Sequence, residues 1–170
     1  MKLETERLLI RSMQESDAVS LARLWTDAEV TQFIGGPRNY DELLQELLKD
    51  AQIKPPPDID LWPVIEKATD QIIGHCGFVD KDVDGRTEFD LTYVLVKSAW
   101  GKGYATEAAT SLRDYAFGQL SLKRIIALID PRNKASEHVA KKTGLYYERD
   151  TLRPTGKTMH VFALGIEDYS

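Results

Sequence analysis

The chain has almost no cysteine. Cys76 is the only one in 170 residues, so no internal disulfide can form, and a reducing compartment is expected. Long apolar runs are missing too. None approaches the ~20 residues that cross a bilayer. The opening "MKLETERLLIRS" holds no apolar stretch of signal-peptide length. A cytoplasmic location without a membrane partner is the expectation. His75, His138 and His160 are the only histidines and lack metal-ligand spacing, so no metal is expected. Positive charge is in deficit: 22 Lys and Arg face 27 Asp and Glu, for a formal net charge of −5. No basic stripe exists, which argues against a nucleic-acid partner. The acid excess suits a cationic small substrate and equally suits plain solubility. No internal repeat or low-complexity segment occurs.

What remains is a chain of one-domain length, residues 1–170, with 42% apolar residues, enough for a real core. "RLLIRSM" at 6–12 reads as a first strand. From Ser16, Leu21, Leu24 and Trp25 fall at helical spacing. "GGPRN" at 35–39 breaks that helix, and "YDELLQELLKD" at 40–50 is an amphipathic helix ended by "KPPPD". Three strand-like runs follow, at 61–67, 71–80 and 87–96, joined by hairpin-length connections. A helix begins after "AWGKG", then an isoleucine-rich strand at 123–130, a short helix at 133–144 and two closing strands. The order is βααβββαβαββ. A strand, helix and strand at 87–130 form a βαβ unit with a right-handed crossover. The preceding strands are joined tightly enough to be antiparallel. The predicted fold is α/β: a mixed, mostly antiparallel sheet with helices on both faces.

"AWGKGYATEAATSLRDYAF" at 99–117 carries the sharpest signal. Gly101 and Gly103 frame Lys102 at a helix start. No Ser or Thr follows the lysine directly, and Thr106 stands where a dinucleotide fingerprint needs its third glycine, so both of those phosphate loops are excluded. Two readings stay open at this level. One is a tight turn into a helix. The other is an anion seat, in which the glycines admit close backbone approach and the N–H groups of residues 101–106 point at a phosphate.

The surrounding stretch "YVLVKSAWGKGYATEA" resembles the acetyl-CoA signature of the GNAT acetyltransferase superfamily, and within it the RimJ/RimL-type branch. "ETERLLIRSMQESDAVSLARLW" at 4–25, "IIGHCGF" at 72–78 and "IDPRNKASEHVAKKTGLYYE" at 129–148 are similar to further motifs of that branch, in its order. The resemblance implies a sheet of about seven strands with a central parallel pair that splays. It implies acetyl-CoA as cofactor and a primary amine as acceptor, with a protein or peptide N-terminus favoured. A small amine, such as a polyamine or an antibiotic, is the alternative within the class. A catalytically silent acyl-CoA-binding module is the alternative outside it. A homodimer is common in the family.

The resemblance also assigns residues. Backbone groups of Val94, Leu95 and Val96 would meet the pantetheine. Trp100, Gly101, Lys102, Gly103, Tyr104, Ala105 and Thr106 would seat the pyrophosphate. Asn133 would orient the pantetheine or cap its helix, Lys142 would meet the 3′-phosphate, and Phe33, Ile34 and Tyr40 would contact the acceptor. Two positions depart from the pattern. Ser98 stands where Gln or Arg is frequent, and Ala140 stands where many members carry a general-acid tyrosine. For the base, Glu88 and Asp90 share one strand face roughly 6.5–7 Å apart along it. Two carboxylates so close could raise one pKa into the useful range. The family pattern favours Asp90. For the acid, the resemblance implies that Ser136 reaches the cofactor sulfur.

Overall fold

Alternation decides the first elements. In β2 (Leu8–Arg11), Leu8 and Ile10 are fully buried while Leu9 and Arg11 are not, the pattern of a strand with one face on a core. The computed structural model describes residues 1–170 and adds an edge strand, β1 (Lys2–Glu4), antiparallel to β2. Three residues carry too little pattern for the sequence to announce it.

Helices α1 (Ala18–Thr26) and α2 (Tyr40–Asp50) follow. Gly35 and Gly36 adopt φ of 97° and 79° between them. Asn39 then caps α2 by accepting the Glu42 N–H at 3.0 Å. The two helices pack together through Ala18, Leu21, Ala22 and Leu47.

β3 (Leu61–Glu66), β4 (Gln71–Val83) and β5 (Arg86–Leu95) form an antiparallel meander. The β4–β5 turn is Asp84–Gly85, both at positive φ, 54° and 79°, as a two-residue hairpin demands. α3 (Tyr104–Gly118) carries the chain back to β6 (Arg124–Ile129), which lies parallel to β5. α4 (Lys134–Lys142) leads into β7 (Tyr146–Leu152) and β8 (Thr158–Gly165). β8 inserts beside β6, so the sheet runs β1-β2-β3-β4-β5-β6-β8-β7. The mixed, mostly antiparallel sheet with one parallel pair is as the sequence indicated, with eight strands rather than seven.

The faces are unequal. On the α3/α4 face, Leu91 and Leu95 of β5, Ala108 and Leu112 of α3 and Ala140 of α4 belong to one core of 23 buried residues. On the α1/α2 face, Val94 of β5 packs with Leu24 and Trp25 of α1. Residues 93 and 94 therefore look in opposite directions, as strand alternation requires.

The feature that positions the site is a missing ladder. β4 and β5 share ten register pairs. β5 and β6 share one, Asp90 with Ile126. Past that point the parallel strands part, and a gap opens at their carboxyl ends, where open α/β sheets take ligands.

Close approach of a loop to the sheet makes one glycine indispensable. A Cβ on Gly77 of β4 would collide with the Asp60 carbonyl oxygen and press on the Trp62 ring. Gly77→Ala should cost about 2–3 kcal/mol, read as a lowered Tm in thermal unfolding.

Candidate active site

The two strand acids come first. Asp90 is 3% exposed. Its Oδ1 accepts the Leu128 N–H of β6 at 2.9 Å, and its Oδ2 pairs with Lys81 at 2.5 Å. Glu88, equally buried, accepts from Arg124 Nε at 3.1 and 3.2 Å. Each carboxylate faces its own cation, Lys81 for Asp90 and Arg124 for Glu88. Both are occupied in joining β5 to β4 and β6.

Ser136 lies in the first turn of α4. Its N–H donates to the Asn133 side chain at 3.1 Å, so Asn133 is the cap of that helix. The Ser136 hydroxyl donates to the Tyr93 hydroxyl at 3.0 Å, and Tyr93 donates in turn to the Ser136 carbonyl at 2.8 Å. Burial pushes the Tyr93 phenol well above its ordinary range, which keeps its proton in place. Sequence reading missed Tyr93; its signal was parity, which sets it on the opposite face from Asp90. Ala140 is fully buried in the core, so no hydroxyl stands at that position.

The strand edge needs one correction. Val96 N–H is spent on the Ile73 carbonyl of β4 at 2.9 Å. By alternation Val94 also faces β4, and Leu95 and Tyr93 turn their backbone groups toward the gap. The Leu95 carbonyl already accepts the Trp100 indole N–H at 3.0 Å. Of the three expected backbone contacts, only Leu95 has the right orientation.

The glycine loop is a tight turn into α3 with its donors left free. Gly101 and Gly103 adopt φ of 73° and 81°, where only glycine is unstrained. None of the backbone N–H groups of Gly101, Lys102, Gly103, Tyr104, Ala105 and Thr106 finds an acceptor within the chain. Open space lies over Gly101. The loop is braced from behind. Arg7 donates to the Lys102 carbonyl at 2.8 Å and stacks on the Tyr104 ring at 4.3 Å. The Tyr104 hydroxyl bonds to Glu66, so its side chain serves the scaffold and only its N–H faces outward. A groove of about 890 Å³ runs from Gly103 past Thr106, Thr110 and Ser111 to Lys142. This donor set fits the pyrophosphate of coenzyme A: six uncommitted N–H groups at the positive end of a helix, opening on a nucleotide-sized groove.

The acceptor candidates separate. Phe33 sits under the Arg132 guanidinium at 5.4 Å, and Ile34 packs against the Leu24, Trp25 and Val94 cluster beside the gap. Tyr40 packs into the α1–α2 contact instead. Asp130, at the end of β6, holds Arg132 by two hydrogen bonds at 3.0 and 2.7 Å. Those bonds lower its pKa to about 2. Trp25 donates to His75 Nδ1 at 3.0 Å, and burial lowers the His75 pKa to about 4. Cys76 is buried, and burial pushes its thiol up to about 12, the state of an inert core residue.

Known proteins resemble this chain in sequence and fold. The family model described as acetyltransferase (GNAT) domain matches residues 7–146. An uncharacterised N-acetyltransferase of Bacillus licheniformis, p20, is 32% identical over 96% of the chain and 94% of its own length. A GNAT-family acetyltransferase structure from Bacillus anthracis superposes with TM-score 0.83 at 26% identity, over 98% of this chain and 99% of that one. The ribosomal-protein acetyltransferase RimL in complex with coenzyme A superposes with TM-score 0.80 at 16% identity, over 99% of each chain, a likeness of fold.

His75 makes a pH signature. Its folded pKa of about 4 lies below the ordinary 6.5, so the unfolded chain binds the extra proton between those values. Stability should be full above pH 6.5 and fall by up to about 1.4 kcal/mol per pH unit as pH drops toward 4. Thermal unfolding from pH 7 to 4.5 should show this slope, and His75→Phe should flatten it.

Proposed function

Because the chain belongs to the GNAT acetyltransferase family, we propose that it is a single-domain N-acetyltransferase that acetylates a primary amine, a peptide or protein N-terminus before others. It is an acetyl-transferring enzyme that uses acetyl-CoA. Bound acetyl-CoA supplies the thioester from which the acetyl group passes to the amine. The observation that carries the reading is the conjunction of the splayed β5–β6 gap with six free N–H groups at the adjoining helix start.

The residues divide the work. The 101–106 backbone and the groove to Lys142 hold the nucleotide end. Leu95 offers a backbone N–H to the chain lying in the gap. Ser136 Oγ holds a proton at the α4 side of the gap, and Tyr93 fixes the direction of that hydroxyl. Ser136 is the proposed proton relay: its hydroxyl turns from Tyr93 to give its proton to the departing thiolate and regains one from the amine nitrogen as the amide forms. Asp90 is proposed as a positioning residue, since both its oxygens are engaged.

This leaves the acceptor without a strong base. A terminal α-amine, with pKa near 7.7–8, is substantially neutral at working pH, whereas a lysine or polyamine amine near 10.4 is not. That difference supports the N-terminal acceptor and the RimJ/RimL-type affiliation.

Thiol release from acetyl-CoA with a peptide panel tests the reading. Ser136→Ala should lower kcat roughly 100-fold and leave the Kd for acetyl-CoA unchanged. Tight acetyl-CoA binding with no turnover of any amine would favour a silent binding module. Asp90→Asn should show first as a loss of about 1–3 kcal/mol in stability, because Lys81 and the Leu128 N–H lose their partner.

A further inference from the structure

Although the chain carries a formal −5, three cations lie on the loops around the Trp25, Phe33 and Asp130 side of the gap. Arg38, on the loop between α1 and α2, donates its backbone N–H to the Trp25 carbonyl at 2.9 Å. Its guanidinium lies 5.0 Å over the Trp25 ring, and one nitrogen bonds to the Gly36 carbonyl at 2.5 Å. No carboxylate pairs with it, unlike Arg7, Arg11, Arg124 and Arg132. Arg132 covers Phe33 on the opposite lip. Lys157, from the β7–β8 turn, is close enough to Asp130 to lower its pKa further.

Several of the nearby acids are engaged, although Asp41 and Glu42 in the first turn of α2 make no ion pair. Asp130 is bound to Arg132. Glu29 is paired with Lys97 at 2.6 Å, and Asp27 accepts the N–H groups of Glu29 and Val30. Asp50 and Asp60 open on a separate cavity of about 40 Å³ beneath the proline-rich loop.

Arg38 is also held in place. Its platform, Trp25, is fixed by the bond to buried His75 and packs on Val94 at the edge of the gap. An arginine ordered before binding loses little entropy on capturing an anion, and its fork matches a carboxylate.

From this rim, and resting on the acetyl-transfer reading above, we propose that the acceptor carries a carboxylate close to its amine, read by Arg38 with Arg132 beside it. Two sources share that chemistry: an acidic first residue on a peptide, and the α-carboxylate of a free amino acid. A polyamine would bring like charge to the same rim.

The test is a rate comparison among acceptors that differ only in charge. One arm uses peptides beginning with Glu, Gln or Lys. The other uses free α-amino acids and their amides. The proposal expects kcat/KM at least tenfold higher for the carboxylate-bearing member in one arm, and the arm that shows it names the source. Arg38→Gln should cut the carboxylate-bearing acceptor at least tenfold more than its neutral twin, and Arg38→Lys should restore part of the difference. The Kd for acetyl-CoA and the Tm serve as folding controls. Equal rates across the charge series, or preference for the Lys peptide, overturn the proposal while leaving acetyl transfer intact. Acetyl-CoA binding with no acceptor turned over overturns both.

Discussion

A buried carboxylate joins the two parallel strands at one point and keeps them apart beyond it. Asp90 accepts the Leu128 N–H, a donor that would otherwise seek a backbone carbonyl of β5. Had it found one, the strands would continue at about 4.8 Å and the sheet would close. A side chain in that role stands between the strands and ends the ladder after a single register pair. Lys81 supplies the opposite charge that makes burial of the carboxylate tolerable. The acid that ends the ladder thus has a partner on each of its oxygens.

The helix start beside this cleft is aimed by a second set of charges. Glu107, in the first turn of α3, accepts from Thr5 at 2.5 Å, from the Arg7 N–H at 2.8 Å and from Arg7 Nε at 2.7 Å. An acid there also suits the positive end of the helix. Arg7 then reaches on to the Lys102 carbonyl. All these bonds lie on the sheet side of the loop. The N–H groups of residues 101–106 are consequently left to the outer side, ordered but uncommitted. Rigid support behind and free donors in front make the loop a ready anion seat.

Element order apart from β1, and the glycine turn before α3, were legible in the sequence, because each rests on local rules: alternation, 3.6-residue spacing and positive φ at glycine. Asn133 and Ser136 were singled out by the family resemblance, with capping as one of two roles left open for Asn133, and the structure makes Asn133 the cap. What was illegible depends on pairing across distance. Nothing local to Glu88 or Asp90 reveals that Arg124 and Lys81 neutralise them. Tyr93 has no motif of its own; it matters because α4 brings Ser136 over it. Tyr40 looked like a neighbour of Phe33 and Ile34, yet it opens a helix whose apolar side turns to α1. Of the backbone groups at 94–96 only Leu95 turns toward β6, since which residue faces β6 is set by the β4 register.

The two faces of β5 give the site its logic. Odd positions carry Tyr93 to α4, where it meets Ser136. Even positions carry Val94 to Trp25, with Arg38 over its ring. The gap past the single β5–β6 register pair lies between them. On the proposed reading, proton source and acceptor recognition sit on opposite sides of one strand and meet where its hydrogen bonds stop. Buried His75 belongs to the same scheme. Kept neutral by burial, it accepts from Trp25 without adding charge near the cationic rim, so the platform under Arg38 is fixed while the sign of the rim is preserved.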